Sequence, residues 1–323
     1  MKGQKRQMAS NSGKSRLEKA ARAGWLYYIA GHTQDEIAKQ LKISRAGVQR
    51  LVSLCLAERL ITFRLEHPIA ACMDLGHQIK QRFGLRLAEV APSDPVAPGA
   101  VAGVAERTAN LLETTLRDPV PKIVAIGTGR AMRAAVEAVA PMDRPDHRLV
   151  SLVGNISTDG SASFFDTVGL LAELTKARHY PMPLPVLMSS ERERNRMLTM
   201  RSVKAVRTLV EHADLRLLGV GQMDAKAQLY VDGFVTLKEL SELRRLGAVG
   251  ELTGWAYNAK GRIIKGGTNG RLTSLPHPVP ARTLTVAAAL GPAKIPSIHA
   301  ALTGRLVNGL ITDEATARAL LER

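Results

Sequence analysis

Residues Lys122 to Val136 read K-I-V-A-I-G-T-G-R-A-M-R-A-A-V, an apolar run that breaks into Gly-Thr-Gly and resumes at helical spacing. The pattern is that of a strand, a tight turn and a helix N-terminus, where exposed backbone N–H groups can hold an anion such as a phosphate. Gly127, Thr128, Gly129 and Arg130 are the residues such a cradle would use. A dinucleotide fingerprint is ruled out, because the third glycine of G-x-G-x-x-G falls on Met132. The chain has no G-x-S-x-G, no H-E-x-x-H and no phosphate-loop lysine at the required spacing. Its eight histidines are scattered, and His67, His147, His179 and His277 sit beside prolines or turn-like segments with no partner nearby in sequence. Cys55 and Cys72 are the only cysteines, too few for a disulfide framework and without metal-ligand spacing, which fits a reducing cytoplasm. These residue types therefore lead us to expect no catalytic constellation, no metal site and no cofactor.

A second kind of chemistry lies near the N-terminus. Of the net charge of +16, half falls on residues 1–67, where 13 Lys/Arg face 5 Asp/Glu. A small basic domain points to a polyanion, with DNA, RNA and an anionic membrane open on charge alone. Spacing narrows the choice. A helix is expected from Ser15 to Ala30, stopped at Gly31. In T-Q-D-E-I-A-K-Q-L, Thr33 and Glu36 have capping-box spacing, and Ser44 caps a third helix whose Val48, Leu51, Val52 and Cys55 form one apolar face. Two short helices joined by a short turn make a helix-turn-helix. Arg45, Gln49 and Arg50 face away from the core, where arginine can read guanine and glutamine adenine; Thr33, Gln34 and Ser44 lie at helix starts suited to phosphates. Behind them L-I-T-F-R-L-E-H alternates, as a strand or wing would.

The elements that must carry the glycine loop come later in the chain. Leu75, Ile79 and Phe83 form a narrow stripe at i, i+4 and i+8 on a helix that either packs on the neighbouring domain or pairs with a second subunit. Pairing is favoured, because helix-turn-helix proteins bind two half-sites as symmetric dimers. Strands are expected at 86–90, 122–126, 148–153, 214–219, 284–289 and 309–312. Helices are expected at 101–116, 131–140, 166–177, 190–212, 236–246, 293–303 and 313–322. Such alternation predicts a mostly parallel sheet with helices on both faces and ligands beyond the carboxyl ends of the strands. Glycine turns mark those ends at Gly127-Thr128-Gly129-Arg130, Gly154-Asn155, Gly219-Val220-Gly221-Gln222 and Gly291-Pro292-Ala293-Lys294.

These features resemble the SorC-type sugar-binding transcriptional regulators of bacteria. The resemblance runs from about Ala21 to the C-terminus and is carried by Y-Y-I-A-G-H-T-Q-D-E-I-A-K-Q-L-K-I-S-R-A-G-V-Q-R-L-V, G-T-G, G-A-V-G-E-L-T-G-W-A-Y-N-A-K-G and L-V-N-G-L-I-T-D-E-A-T-A-R-A-L-L. It implies an effector domain folded like sugar-phosphate isomerases, a dimeric or tetrameric assembly, and a sugar, polyol or phosphosugar effector. Carried over residue by residue, it places the phosphate loop on Gly127, Thr128, Gly129 and Arg130, and puts Glu251 and Lys294 in the ligand pocket. Gln222, Asp232 and Asn258 are placed near the pocket by the same alignment. Many relatives have Phe-Asp where this chain has Tyr257-Asn258, and a second glycine where it has Pro292.

The alternative is a sugar-phosphate isomerase-like enzyme, since fold alone does not decide function. Aldose–ketose isomerisation needs a base to move a proton between adjacent carbons and acids or cations to stabilise the enediolate. Where pentose-phosphate isomerases carry Asp-Gly-Ala-Asp-Glu, this chain has Leu218-Gly219-Val220-Gly221-Gln222, with every acid lost. The Asp-Gly-His of glucosamine-type enzymes is replaced by Met223-Asp224-Ala225-Lys226. Asp224 and Glu251 stand as isolated carboxylates.

The expectation is an α/β protein with a flexible basic arm at 1–14 and a winged helix-turn-helix at 15–67. A linker or dimerisation helix at 68–84 would then lead into a mostly parallel α/β effector domain at 85–323. Its partners are double-stranded operator DNA and a small-molecule effector. No apolar run approaches the roughly 20 residues that span a bilayer, so no membrane association is expected and the chain is read as cytoplasmic, a homodimer or homotetramer.

Overall fold

A computed structural model describes residues 15–58, 60–61, 69–97, 99–156 and 166–323. The chain divides after His67 into two compact units. The basic arm and most of the expected wing lie outside the described residues.

In the first unit helix α1 (residues 15–24) continues as one wide π turn, Trp25–Ile29, before Gly31 turns left-handed at φ 73°. Helix α2 (Gln34–Leu41) carries the capping box: Glu36 N–H donates to Thr33 Oγ1 at 3.3 Å, and Thr33 N–H donates to Glu36 Oε2 at 2.7 Å. Helix α3 (Arg45–Ala57) starts where Ser44 Oγ accepts Gly47 N–H at 3.1 Å. Ala23, Leu26, Ile37, Val48 and Val52 form the core between them. Gly24 lets α1 close onto α3, since a Cβ there would collide with Cys55 Sγ.

The second unit is built on seven parallel strands in the order β1-β10-β9-β5-β2-β3-β4. They are β1 (Leu87–Ala91), β2 (Ile123–Ile126), β3 (Arg148–Ile156), β4 (Arg178–Pro185), β5 (Leu215–Leu218), β9 (Leu284–Ala288) and β10 (Gly309–Asp313). Parallel neighbours need crossovers, and helices supply them on both faces. Side chains alternate accordingly: Val124 and Ile126 point to one core with α5 (Ala102–Leu116), α6 (Arg130–Glu137) and α7 (Thr167–Thr175). Ala125 and Leu218 point to the other, with α4 (Ala70–Phe83), α9 (Arg201–Glu211), α12 (Ile295–Thr303) and α13 (Glu314–Leu321). A second sheet of three antiparallel strands, β6 (Gly221–Gln222), β7 (Ala248–Leu252) and β8 (Trp255–Asn258), caps the strand ends. It has its own core with α10 (Gln228–Val231) and α11 (Leu237–Arg245).

Several expectations need adjusting. The 190–212 helix is two, α8 (Glu191–Met197) and α9. Gly154-Asn155 is no strand-end turn but lies inside β3, where the main chain of Leu184 and Pro185 fills the space a Cβ would need at Gly154. Strand β4 is not expected from the sequence because Pro181, Pro183 and Pro185 recur on alternate positions; at the sheet edge the outer positions need no ladder N–H. On α4, Leu75 and Ile79 are buried in the unit's own core, against β1 and α13, and Phe83 packs against that core. The stripe is thus filled from within its own domain.

Candidate functional site

From β1 the chain crosses to the middle of the sheet, runs outward through β2, β3 and β4, and returns to β5 to run outward the other way. The direction reverses between β2 and β5, and a crevice opens beyond the carboxyl ends of strands at such a switch point. Three glycine loops converge there.

The loop after β2 is seated by neighbours. Gly127 N–H donates to Leu217 O at 2.7 Å, Thr167 Oγ1 donates to Gly127 O at 2.7 Å, and a Cβ on Gly127 would come within 3.3 Å of Leu218 Cα. Gly129 has φ 111°, a conformation L side chains rarely adopt, and it delivers Thr128 and Arg130 to the N-terminus of α6. After β5, Val220 and Gly221 lead to Gln222, and the Glu251 side chain lies over Gly221 where a Cβ would need space. After β9, Gly291 (φ 102°) enters a 3₁₀ turn with Pro292 at its first position, so the proline starts a helical turn where a second glycine would have loosened it. That loop is tied down in series. Lys294 N–H donates to Gly291 O at 3.0 Å, Gly291 N–H to Thr316 Oγ1 at 2.9 Å, Thr316 N–H to Asp313 Oδ1 at 3.1 Å, and Ser93 Oγ to Asp313 Oδ2 at 2.9 Å.

Together these elements line a cavity with Thr128, Gly129, Arg130, Gln222, Asp232, Glu251 and Lys294. Gly127 stands behind the lining as a packing residue. Asn258 does not reach it: its Oδ1 accepts Lys260 N–H at 3.0 Å and Arg262 N–H at 3.1 Å, closing its own turn. Residues not expected from the sequence also line the cavity, among them Gln228, Phe234 and Thr253. Gln228 Nε2 donates to Asp232 Oδ1 at 2.5 Å. In the sequence Thr253 is marked only by the dipeptide Thr-Gly between Leu252 and Trp255, a weak hairpin signal.

Burial raises the Glu251 carboxyl above the usual range, opposed by the Gly254 N–H at 2.7 Å and the nearby Lys294 charge. Burial lowers Lys294, with Glu251 opposing and Arg130 reinforcing. Desolvation, then Glu251, pushes the Tyr257 phenol up; its hydroxyl donates to Ser297 O at 3.0 Å. The cavity lining combines the cations Arg130 and Lys294 with the carboxylates Asp232 and Glu251, a set suited to holding a hydroxylated small molecule. No histidine among the described residues lines it. Among the described residues no group of three or more His, Cys, Asp or Glu is arranged to hold a metal ion, and no helix is long and apolar enough to cross a membrane.

The candidate DNA-reading residues stand together on the first unit. Arg45, Gln49 and Arg50 are exposed on α3, Thr33 and Ser44 cap α2 and α3, and Gln34 opens α2. Arg45 reaches back to Asp35 at 3.6 Å, and Arg50 Nε donates to Ala46 O at 3.2 Å. The Arg45–Asp35 pair is solvent-exposed, so it holds Arg45 weakly.

A family model described as a sugar-binding domain matches residues 67–322. The erythritol catabolism regulatory protein EryD of Brucella abortus is 32% identical over 302 residues, 94% of this chain and 96% of that protein. The deoxyribonucleoside regulator of Bacillus subtilis is 28% identical over 302 residues, 93% of this chain and 96% of that protein. Among solved structures, the full-length sorbitol operon regulator SorC from Klebsiella pneumoniae superposes with a TM-score of 0.70 at 24% identity, covering 94% of this chain and 99% of that one.

Proposed function

The chain belongs to the SorC-type sugar-binding transcriptional regulators, and from that premise we propose that the cavity beyond β2, β5 and β9 is its effector site and the exposed face of α3 its operator-reading surface. It is a ligand-responsive bacterial regulator with DNA-binding and sugar-sensing domains, not an enzyme. The observation that carries the effector assignment is the convergence on one cavity of Thr128, Arg130, Gln222 and Lys294, from the segments that follow the neighbouring strands β2, β5 and β9, with Glu251 of β7. The names of the relatives give erythritol for one and deoxyribonucleosides for another. The class that suits this lining is a sugar, polyol or sugar phosphate, with Arg130 and Lys294 facing the electron-rich end.

On this reading Arg45 and Gln49 contact base edges, while Thr33, Gln34, Ser44 and Arg50 position the helices on phosphates. Residues 1–14 would serve as a basic arm and the 15–67 unit as the reader of one half-site in a cytoplasmic homodimer or homotetramer. Since Leu75 and Ile79 are used inside the domain, pairing through the 68–84 segment would fall to the outer face of α4, where Met73 is exposed. The effector moves DNA affinity only as far as its own affinities for the DNA-competent and DNA-incompetent states differ.

A thermal-shift screen of polyols, sugars and their phosphates tests the effector assignment, because a ligand that binds only the folded state raises its stability by mass action. At least one compound is expected to raise the midpoint of the wild-type chain and to lose that effect in Lys294→Ala. An equal shift in the variant would remove Lys294 from the site.

A further inference from the structure

The hairpin between β7 and β8 turns on two residues, Thr253 and Gly254, and both have positive φ, 48° and 91°. Two-residue hairpins of this kind favour Asn-Gly or Gly-Gly, because a β-branched side chain is strained at positive φ. Thr253 is held in that conformation from the 272–277 segment. Its Oγ1 lies 2.9 Å from His277 Nε2, and its carbonyl accepts Ser274 Oγ–H at 2.9 Å.

His277 is itself buried, at 6% exposure. Desolvation, then the charge of Arg216, holds its pKa down to about 4, with the Leu252 backbone opposing. The ring is therefore neutral near pH 7, with a proton on one nitrogen and a lone pair on the other. With that proton on Nδ1, Nε2 carries the lone pair and the Thr253 hydroxyl donates to it across 2.9 Å. Thr253 Oγ1, on a residue that lines the cavity, then has lone pairs to offer and no proton. Glu251, two residues earlier, is an acceptor as well, with Gly254 N–H on its Oε2.

We infer that Thr253 is a specificity-determining residue of the cavity, its hydroxyl fixed by His277 as an acceptor that takes a hydrogen bond from a ligand hydroxyl and disfavours an anionic oxygen at that point. His277 is the positioning residue behind it. The inference rests on reading the cavity as the effector site, and it orients the effector: hydroxyl groups toward the hairpin, the electron-rich or anionic end toward Arg130.

The test uses the full-length chain and four probes: erythritol, D-erythrose 4-phosphate, D-ribose 5-phosphate and 2-deoxy-D-ribose 5-phosphate. Calorimetric titration of wild type is compared with Thr253→Gly, which relaxes the turn but removes the hydroxyl, and with Thr253→Ser, which returns it. In parallel, ¹⁵N-histidine NMR reads which nitrogen of His277 carries the proton. The expected result is a loss of about tenfold in affinity for the best-bound probe in Thr253→Gly, the size of one good hydrogen bond. Thr253→Ser recovers most of that loss. His277→Gln, whose side-chain oxygen can accept the same proton, binds more tightly than His277→Phe. Unchanged affinity in Thr253→Gly, or a proton on His277 Nε2, would overturn the inference. If wild type binds none of the four probes while Nε2 is found bare, the effector reading has failed and the inference falls with it; the NMR result then shows that the hydrogen bond itself was not at fault.

Discussion

At the scale of single residues, burial sets the chemistry of the cavity. Glu251 is more costly to ionise in the fold than in water. A carboxyl with a raised folded pKa lends stability below its unfolded pKa and loses it as pH rises through the folded value. Glu251→Gln keeps an oxygen for the Gly254 N–H and carries no charge. It is expected to melt above wild type at pH 7.5, with the difference closing as pH falls through the ordinary carboxylate range, as followed by calorimetry at both ends. His277 has the opposite dependence. Its pKa is lowered from 6.5 to about 4, so its contribution is full above pH 6.5 and is lost as pH falls from 6.5 toward 4. That amounts to about 3 kcal/mol at most, an order-of-magnitude value. Urea titrations between pH 7 and 4.5 should show a shallower acid loss in His277→Gln than in wild type. In the first unit, Arg45→Ala and Gln49→Ala are expected to weaken operator binding by about 1–3 kcal/mol while barely changing affinity for random DNA. Equal losses on both would assign these side chains to the phosphate backbone. The sequence made Gly127 to Arg130 legible because a glycine turn between strand and helix is a local pattern. Asn258, which the resemblance puts near the pocket, instead closes its own turn in the structure, a role an alignment cannot distinguish from ligand contact.

At the scale of elements, helix caps and close backbone approaches hold the loops that form the cavity. Asp313 caps α13 and, through Thr316, fixes Gly291 ahead of Lys294. Asp313→Ala is expected to lower stability by about 1–2 kcal/mol and to weaken effector binding without touching the cavity; a stability loss with ligand affinity unchanged would uncouple the cap from Lys294. Gly304 and Gly261 meet backbone to backbone, with no room for a Cβ on either. Gly304→Ala should cost about 1–3 kcal/mol by overpacking, measurable as a lowered denaturation midpoint. Six strands of the large sheet were readable because each is a short apolar run closed by glycine or followed by an amphipathic stretch, as in β2 and β9. The cap of three antiparallel strands was not. Its pieces are short, β6 has only two residues, and the turn uses threonine where asparagine would have announced it. The break between α8 and α9 carries no local signal, since residues 198–200 contain neither glycine nor proline.

At the scale of the whole molecule, the charge split and the two units describe a division of labour: a small basic unit for DNA and a large α/β unit for a small molecule. The sheet keeps its switch-point crevice, and the loop after β5 carries Gln222 where the pentose-phosphate isomerases carry acids. The measurement closest to the centre of this account is fluorescence anisotropy of the full-length chain on DNA from upstream of its own gene. It is made at fixed salt, because phosphate contacts make affinity salt-dependent, and compares wild type with Lys294→Ala during titration with polyols, sugars and their phosphates. At least one compound is expected to change the DNA affinity of wild type by roughly fivefold or more, while Lys294→Ala binds the same DNA as tightly and does not respond. A variant that responds as wild type does, or a wild type that binds this DNA yet ignores every compound, would contradict it.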